Sequence, residues 1–96
     1  MNNNMEYEEY RLSIIKRLKR IEGQVKGIYK MIEQDKNCVD ILTQVAAVRA
    51  AVNRVGGMIL QNHSKKCVQQ VLKSERAPEA IDELVETVQK FLKFVD

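Results

Sequence analysis

The chain has 96 residues, a formal net charge of +3, two cysteines, one histidine and no tryptophan. This length fits one small domain, and neither a signal peptide nor the roughly 20-residue apolar run of a membrane-spanning helix is visible, so we expect a cytoplasmic protein without membrane contact. The low content of glycine and proline, four residues and one, favours an all-α fold. A short chain of long helices usually gains stability by oligomerising.

The first helix is expected from about Tyr10 to Gln34, after a flexible polar tail over residues 1–9. Residues 10–96 then form a single domain. The apolar residues of this helix recur at alternating steps of four and three, which is typical of a helix with one apolar face: Ile14, Leu18, Ile21, Val25, Ile28 and Ile32. Residues 11–30 also hold seven basic residues against one acid. Such a basic face indicates a polyanionic partner, although a solvated amphipathic helix has the same pattern.

A second helix is expected from Cys38 to about Lys73, with Asn37 as its N-cap residue. Small alanines occupy its middle, and its apolar residues show the spacing of a helix-pair seam: Ile41, Val45, Val48, Val52, Val55 and Ile59. Gly56-Gly57 is the one point at which a kink could occur. Pro78 suits the first turn of a third, amphipathic helix.

The two cysteines and the histidine are candidate metal ligands. His63 and Cys67 are four residues apart, so on a helix their side chains leave one face. If the helix is continuous, Cys38 lies about 44 Å from Cys67, at about 1.5 Å per residue. One subunit cannot then close a three-ligand site. If two copies of this helix pair antiparallel about Val52, Cys38 of one copy approaches His63 and Cys67 of the other, in two equivalent sites.

Two thiolates and one imidazole form a soft ligand set. It suits Cu(I) in a three-coordinate site, and Zn(II) when a fourth ligand is added. Two thiols that meet across a subunit interface can instead form a disulfide or polysulfide bridge, and a buried cysteine is often only a small apolar residue. Catalysis is not expected, because the sequence shows no Ser-His-Asp pattern, no paired carboxylates in an apolar setting and no glycine-rich phosphate loop.

Three segments together resemble the CsoR/RcnR family of bacterial ligand-sensing repressors. They are RLKRIEGQVKGI (Arg17 to Ile28), CVDILTQVAAVRAAV (Cys38 to Val52) and HSKKC (His63 to Cys67). The similarity covers about residues 11–94. It implies a three-helix protomer, a dimer resembling a four-helix bundle and a homotetramer built as a dimer of dimers. It also implies double-stranded operator DNA as a partner, bound without ligand and released on ligand binding.

The resemblance also implies roles for individual residues. The Cys-His-Cys pattern is similar to the copper branch, which senses Cu(I) and derepresses copper efflux genes. Glu83 would hold His63 through its non-ligating nitrogen, and Asn37 stands where copper sensors often carry a tyrosine. The family's DNA-contact positions fall on Arg17 and Arg54, to which we add three neighbouring basic residues: Lys16, Arg20 and Lys26.

The other branches of the family differ in their histidines. The persulfide-sensing branch keeps both cysteines but typically lacks the histidine, and the nickel/cobalt branch needs further histidines near the N-terminus. His63 is the only histidine of this chain. We therefore predict a Cu(I)-responsive repressor that is not an enzyme, with Zn(II) as a non-cognate ligand. The alternative is a persulfide-sensing repressor that uses Cys38 and Cys67 as a redox pair.

Overall fold

The computed structural model describes residues 3–73 and 77–93. They form three helices, α1 over Asn3–Glu33, α2 over Cys38–Lys73 and α3 over Ala77–Lys93, which confirms the all-α, three-helix prediction. None of these helices has the length and apolar character that crossing a bilayer requires. Residues 74–76, where we expect the turn before α3, lie outside the described residues.

The start of α1 differs from the prediction, because residues 3–9 are helical where a tail is expected. Arg11 donates to Glu8 at 3.0 Å, and the rings of Tyr7 and Tyr10 lie 5.9 Å apart between centroids. Both pairs are three residues apart, a spacing that brings side chains together on a helix. The predicted start followed the apolar stripe, which marks only the packed part of a helix.

The C-terminus of α1 is closed by two backbone hydrogen bonds. Lys36 N donates to Met31 O at 2.9 Å, and Asp35 N donates to Ile32 O at 3.1 Å. This is the pattern of a Schellman motif, in which the residue after the helix adopts a left-handed conformation. Asp35 has a φ of 53° and occupies that position, which glycine adopts more easily.

The N-terminus of α2 is capped as predicted. Val39 N donates to Asn37 Oδ1 at 2.7 Å, and Ile41 N donates to Asn37 O at 3.1 Å. Asn37 is therefore the N-cap residue, and Cys38 is the first residue of the helix.

The apolar stripes of α1 and α2 are each divided between the interior and the surface. The inward rows are buried or half-buried and comprise Ile14, Ile21 and Ile28 on α1 and Ile41, Val48 and Val55 on α2. The outward rows are 42–58% exposed and comprise Leu18, Val25 and Ile32 on α1 and Val45, Val52 and Ile59 on α2. Because all four rows repeat every seven residues, each helix keeps one regular apolar row that this chain leaves uncovered.

The chain divides into two compact units at the junction of Val55 and Gly56. The first unit contains α1 and the first half of α2, joined as a helical hairpin. The second contains the rest of α2 and α3. Helix α2 runs without a break through Gly56 and Gly57, and no described glycine has a positive φ. The single domain over residues 10–96 stays a prediction.

Candidate metal centre

His63 and Cys67 are brought together on α2. The Nε2 atom of His63 lies 3.6 Å from the Sγ atom of Cys67, as the four-residue spacing predicts. Cys67 is buried, with 5% of its surface exposed, and His63 is half-buried. Thiolate and imidazole are both good ligands for Cu(I) and Zn(II). One chain therefore brings two of the three predicted ligands together on one helix.

Cys38 is held at the other end of the same helix. It is exposed and precedes Cys67 by 29 residues along the continuous α2. Among residues 3–73 and 77–93, no three Cys, His, Asp or Glu side chains lie close enough together to hold a metal ion. The described part of the chain therefore does not bring the three predicted ligands together.

The two residues predicted to support the ligands have different settings. The Asn37 side chain accepts a hydrogen bond from Val39 N at 2.7 Å, so it caps the helix whose first residue is Cys38. Glu83 is exposed on α3 and lines a cleft of about 610 Å³ between α3 and the end of α2, together with Lys66, Gln70 and Lys73. The hydrogen bond from His63 to Glu83 stays a prediction.

The predicted DNA-binding residues of α1 do not share one face. Lys16, Arg17 and Arg20 lie within about 100° of one another around the helix, at about 100° per residue. Lys26 is nine residues from Arg17, which is two and a half turns, so it points to the opposite side. Lys16, Arg20, Lys26 and Arg54 are exposed, and Arg17 is half-buried.

Helical spacing reveals a second basic row that the sequence analysis missed. Lys19, Lys26 and Lys30 lie within about 40° of one another on α1, and all three are exposed. On a helical wheel this row adjoins the one formed by Lys16, Arg17 and Arg20, because Lys30 lies about 40° from Lys16. The basic segment therefore presents positive charge over about half of the circumference of α1.

The chain matches a known protein family over most of its length. Residues 10–90 match the family model described as "Metal-sensitive transcriptional repressor". The chain is 49% identical over 80 residues to the copper-sensing transcriptional repressor CsoR of Bacillus subtilis (strain 168), covering 83% of this chain and 79% of that protein. It is 42% identical over 80 residues to the copper-sensing transcriptional repressor RicR of Mycobacterium tuberculosis (strain ATCC 25618 / H37Rv), covering 83% and 82%.

Two solved structures have a similar fold. The copper-sensing repressor CsoR with Cu(I) from Geobacillus thermodenitrificans NG80-2 is 37% identical with a TM-score of 0.77, covering 96% of this chain and 92% of that one. The nickel-responsive transcriptional regulator InrS is 34% identical with a TM-score of 0.78, covering 83% and 90%. Since these two regulators respond to different metals, the fold alone does not select the metal.

Proposed function

Because this chain belongs to the family of metal-sensitive transcriptional repressors, we propose that it binds operator DNA and releases it when Cu(I) binds. Release then derepresses copper efflux genes in the cytoplasm. The observation that best supports this proposal is the contact between His63 Nε2 and the Sγ atom of buried Cys67 at 3.6 Å. Relatives with 49% and 42% identity are named copper-sensing repressors.

The ligand set of this chain favours copper over nickel. Two thiolates and one imidazole suit a three-coordinate Cu(I) ion, whereas an octahedral Ni(II) site needs more nitrogen or oxygen ligands. The chain has a single histidine, so it cannot supply them from imidazoles. Zn(II) can bind the same ligands but needs a fourth, which makes it a non-cognate ligand in this proposal.

The outward apolar rows of α1 and α2 support an antiparallel dimer. Val45, Val52 and Ile59 are 42%, 47% and 45% exposed, and a second copy of α2 offers a matching row. If Val52 packs against its own copy, Val45 lies opposite Ile59. The same register places Cys38 of the partner subunit opposite residue 66, next to Cys67. The dimer thereby completes two equivalent ligand sets, and two such dimers form the proposed tetramer.

The proposed mechanism follows from how differently the ligands are held. Helix α2 already orients His63 and Cys67, so binding has only to order the exposed Cys38 of the partner subunit. This draws the start of one α2 onto the end of the other. Glu83 then transmits the change to α3 through His63. Release of DNA requires that the metal-bound state have the lower DNA affinity, and the ratio of the two affinities measures the coupling.

DNA binding in this proposal rests on the basic residues of the first unit. Arg17 and Arg54, with Lys16, Arg20 and Lys26, would contact phosphates, and Lys19 and Lys30 extend the second row. Phosphate contacts release counterions, so DNA affinity should fall steeply with salt. The operator sequence would be recognised largely through DNA shape, because the protein sequence shows no standard motif that contacts bases.

The persulfide alternative is not favoured. His63 Nε2 lies 3.6 Å from Cys67 Sγ, and a metal site uses this imidazole directly as a ligand, whereas a redox pair uses it at most as a base. Cys67 is also buried, whereas sensing cysteines that react with small oxidants are typically accessible.

An anaerobic titration of the protein on its own upstream DNA tests the proposal. We expect stoichiometric Cu(I) to lower DNA affinity by at least about 10-fold, within the usual range of allosteric coupling, and Zn(II) to do so much less. His63→Ala should bind DNA normally and lose the response. Gln61→Ala, an exposed neighbour on the same helix, is the matched control and should respond as the wild type does.

Two outcomes would contradict the copper proposal. If Cys38→Ala, His63→Ala and Cys67→Ala were all still released by Cu(I), these residues would not be the sensor. If a persulfide donor released the DNA and Cu(I) did not, the redox alternative would replace it.

A further inference from the structure

Gly56 differs from the other three glycines in what lies beside it. A Cβ atom at position 56 would lie 2.5 Å from Cε1 and 2.9 Å from Cζ of Phe91. A Cβ atom at Gly23, Gly27 or Gly57 would meet nothing within 4 Å. The ring of Phe91 on α3 therefore occupies the space that a side chain at position 56 of α2 would fill.

The backbone gives no other reason for glycine at this position. Helix α2 is continuous through Gly56, and no described glycine has a positive φ. Glycine inside a helix is unfavourable compared with alanine, because it has more backbone freedom to lose. Carbon atoms in ordinary contact lie about 3.5–4.0 Å apart, so a methyl group at 56 would force the ring or the whole of α3 to move.

The position that the Phe91 ring occupies beside Gly56, called its seat below, lies on the face of α2 that carries the two candidate metal ligands. His63 and Cys67 follow Gly56 by seven and eleven residues, which places them within about 20° of it around a helix. His63 is about two turns further along. The contact between Gly56 and Phe91 thus anchors α3 over the same face that presents the two ligands, and α3 also carries Glu83.

We propose that Gly56 and Phe91 are positioning residues for the copper response. The Phe91 ring, seated on Gly56, sets how closely α3 approaches the face of α2 that holds His63 and Cys67. Moving α3 outward carries Glu83 away from His63 and weakens the link between metal binding and DNA release. The copper part of this inference rests on the proposed function, whereas the seat itself does not.

The adjacent glycines provide a matched pair of substitutions. Gly56→Ala and Gly57→Ala add the same methyl group and the same helix propensity to neighbouring positions of the full-length protein. We expect Gly56→Ala to raise amide hydrogen exchange in α3 and to reduce the ratio of apo to Cu(I)-bound DNA affinity by at least about 5-fold. Gly57→Ala should leave both quantities as in the wild type.

A rescue variant separates positioning from a loss of folding. Gly56→Ala combined with Phe91→Leu removes the far end of the ring and should restore most of the affinity ratio. Gly56→Ala with normal α3 exchange would show that the seat does not control α3. Raised exchange with an unchanged ratio, or no rescue by the double variant, would overturn the positioning role.

The same measurements distinguish this inference from the proposed function. A wild-type protein that does not release DNA with Cu(I) would overturn the proposed function and, with it, the copper part of the inference. Hydrogen exchange in α3 would still decide whether Phe91 is seated on Gly56.

Discussion

The two ends of α2 carry the two cysteines in opposite settings. Cys38 is exposed at the first residue of the helix, directly after the N-cap residue Asn37. Cys67 is buried near the other end, 3.6 Å from His63. The same residue type on one helix is thus held in place at one end and presented to solvent at the other. In the proposed dimer, the buried end supplies two ligands from one subunit, and the exposed end supplies the third to the partner subunit.

The largest effect is expected when two variants that each lack one cysteine are mixed and their Cu(I) binding is measured. Cys38→Ala and Cys67→Ala should each lower Cu(I) affinity by more than about 100-fold, since even outer-shell changes can reach that size. After subunit exchange, half of the dimers combine one chain of each kind, and each of these has one intact site. Tight Cu(I) binding should then return to about a quarter of the wild-type capacity, as measured by competition with a chelator.

The control for this experiment is a mixture of His63→Ala and Cys67→Ala. Both substitutions remove a ligand from the pair that one subunit supplies, so no mixed dimer gains an intact site. No tight Cu(I) binding should return. If the first mixture also recovered nothing, Cys38 would not be shared between subunits and the antiparallel dimer proposal would be wrong.

Removing the N-cap residue should have a smaller effect, confined to the Cys38 end. Asn37→Ala should lower the free energy of unfolding by about 1 kcal/mol, because Val39 N loses its hydrogen bond to the side chain. Asn37→Asp keeps an acceptor and should retain most of that stability. Urea unfolding measures the change, with Asn53→Ala in the helix interior as the control. Equal stability of Asn37→Ala and the wild type would show that the Asn37 side chain does not stabilise the start of α2.

The smallest expected effect is at the turn before Cys38, where a substitution should raise the free energy of unfolding instead of lowering it. Asp35→Gly should raise the free energy of unfolding by about 0.5 kcal/mol, because glycine adopts a positive φ without the steric cost of a Cβ atom. Lys36→Gly is the contrasting control and should lower stability, since Asp35 is the only described non-glycine residue with a positive φ. The same urea unfolding curves test this. A destabilised Asp35→Gly protein would show that the aspartate side chain matters more than the backbone conformation.

Local sequence rules predicted much of the fold and part of the site. The apolar spacing predicted the three helices, and the Asn37-Cys38 junction predicted the start of α2 to the residue. The four-residue spacing of His63 and Cys67 predicted their contact. These features depend on neighbours within about one helical turn, which the sequence shows directly. The start of α1 was predicted too late, because a helix can extend beyond its packed face.

Other features depend on residues far apart in the chain, and only the tertiary structure decided them. Each apolar stripe reads as one seam in the sequence, but packing buries one row and leaves the other exposed. Gly56 and Gly57 read alike as a weak point in α2, yet only Gly56 receives the ring of Phe91. The sequence by itself determined which residues share a helix face. Which of those faces is covered, and by what, follows from contacts between helices, because close packing between distant residues leaves no local pattern.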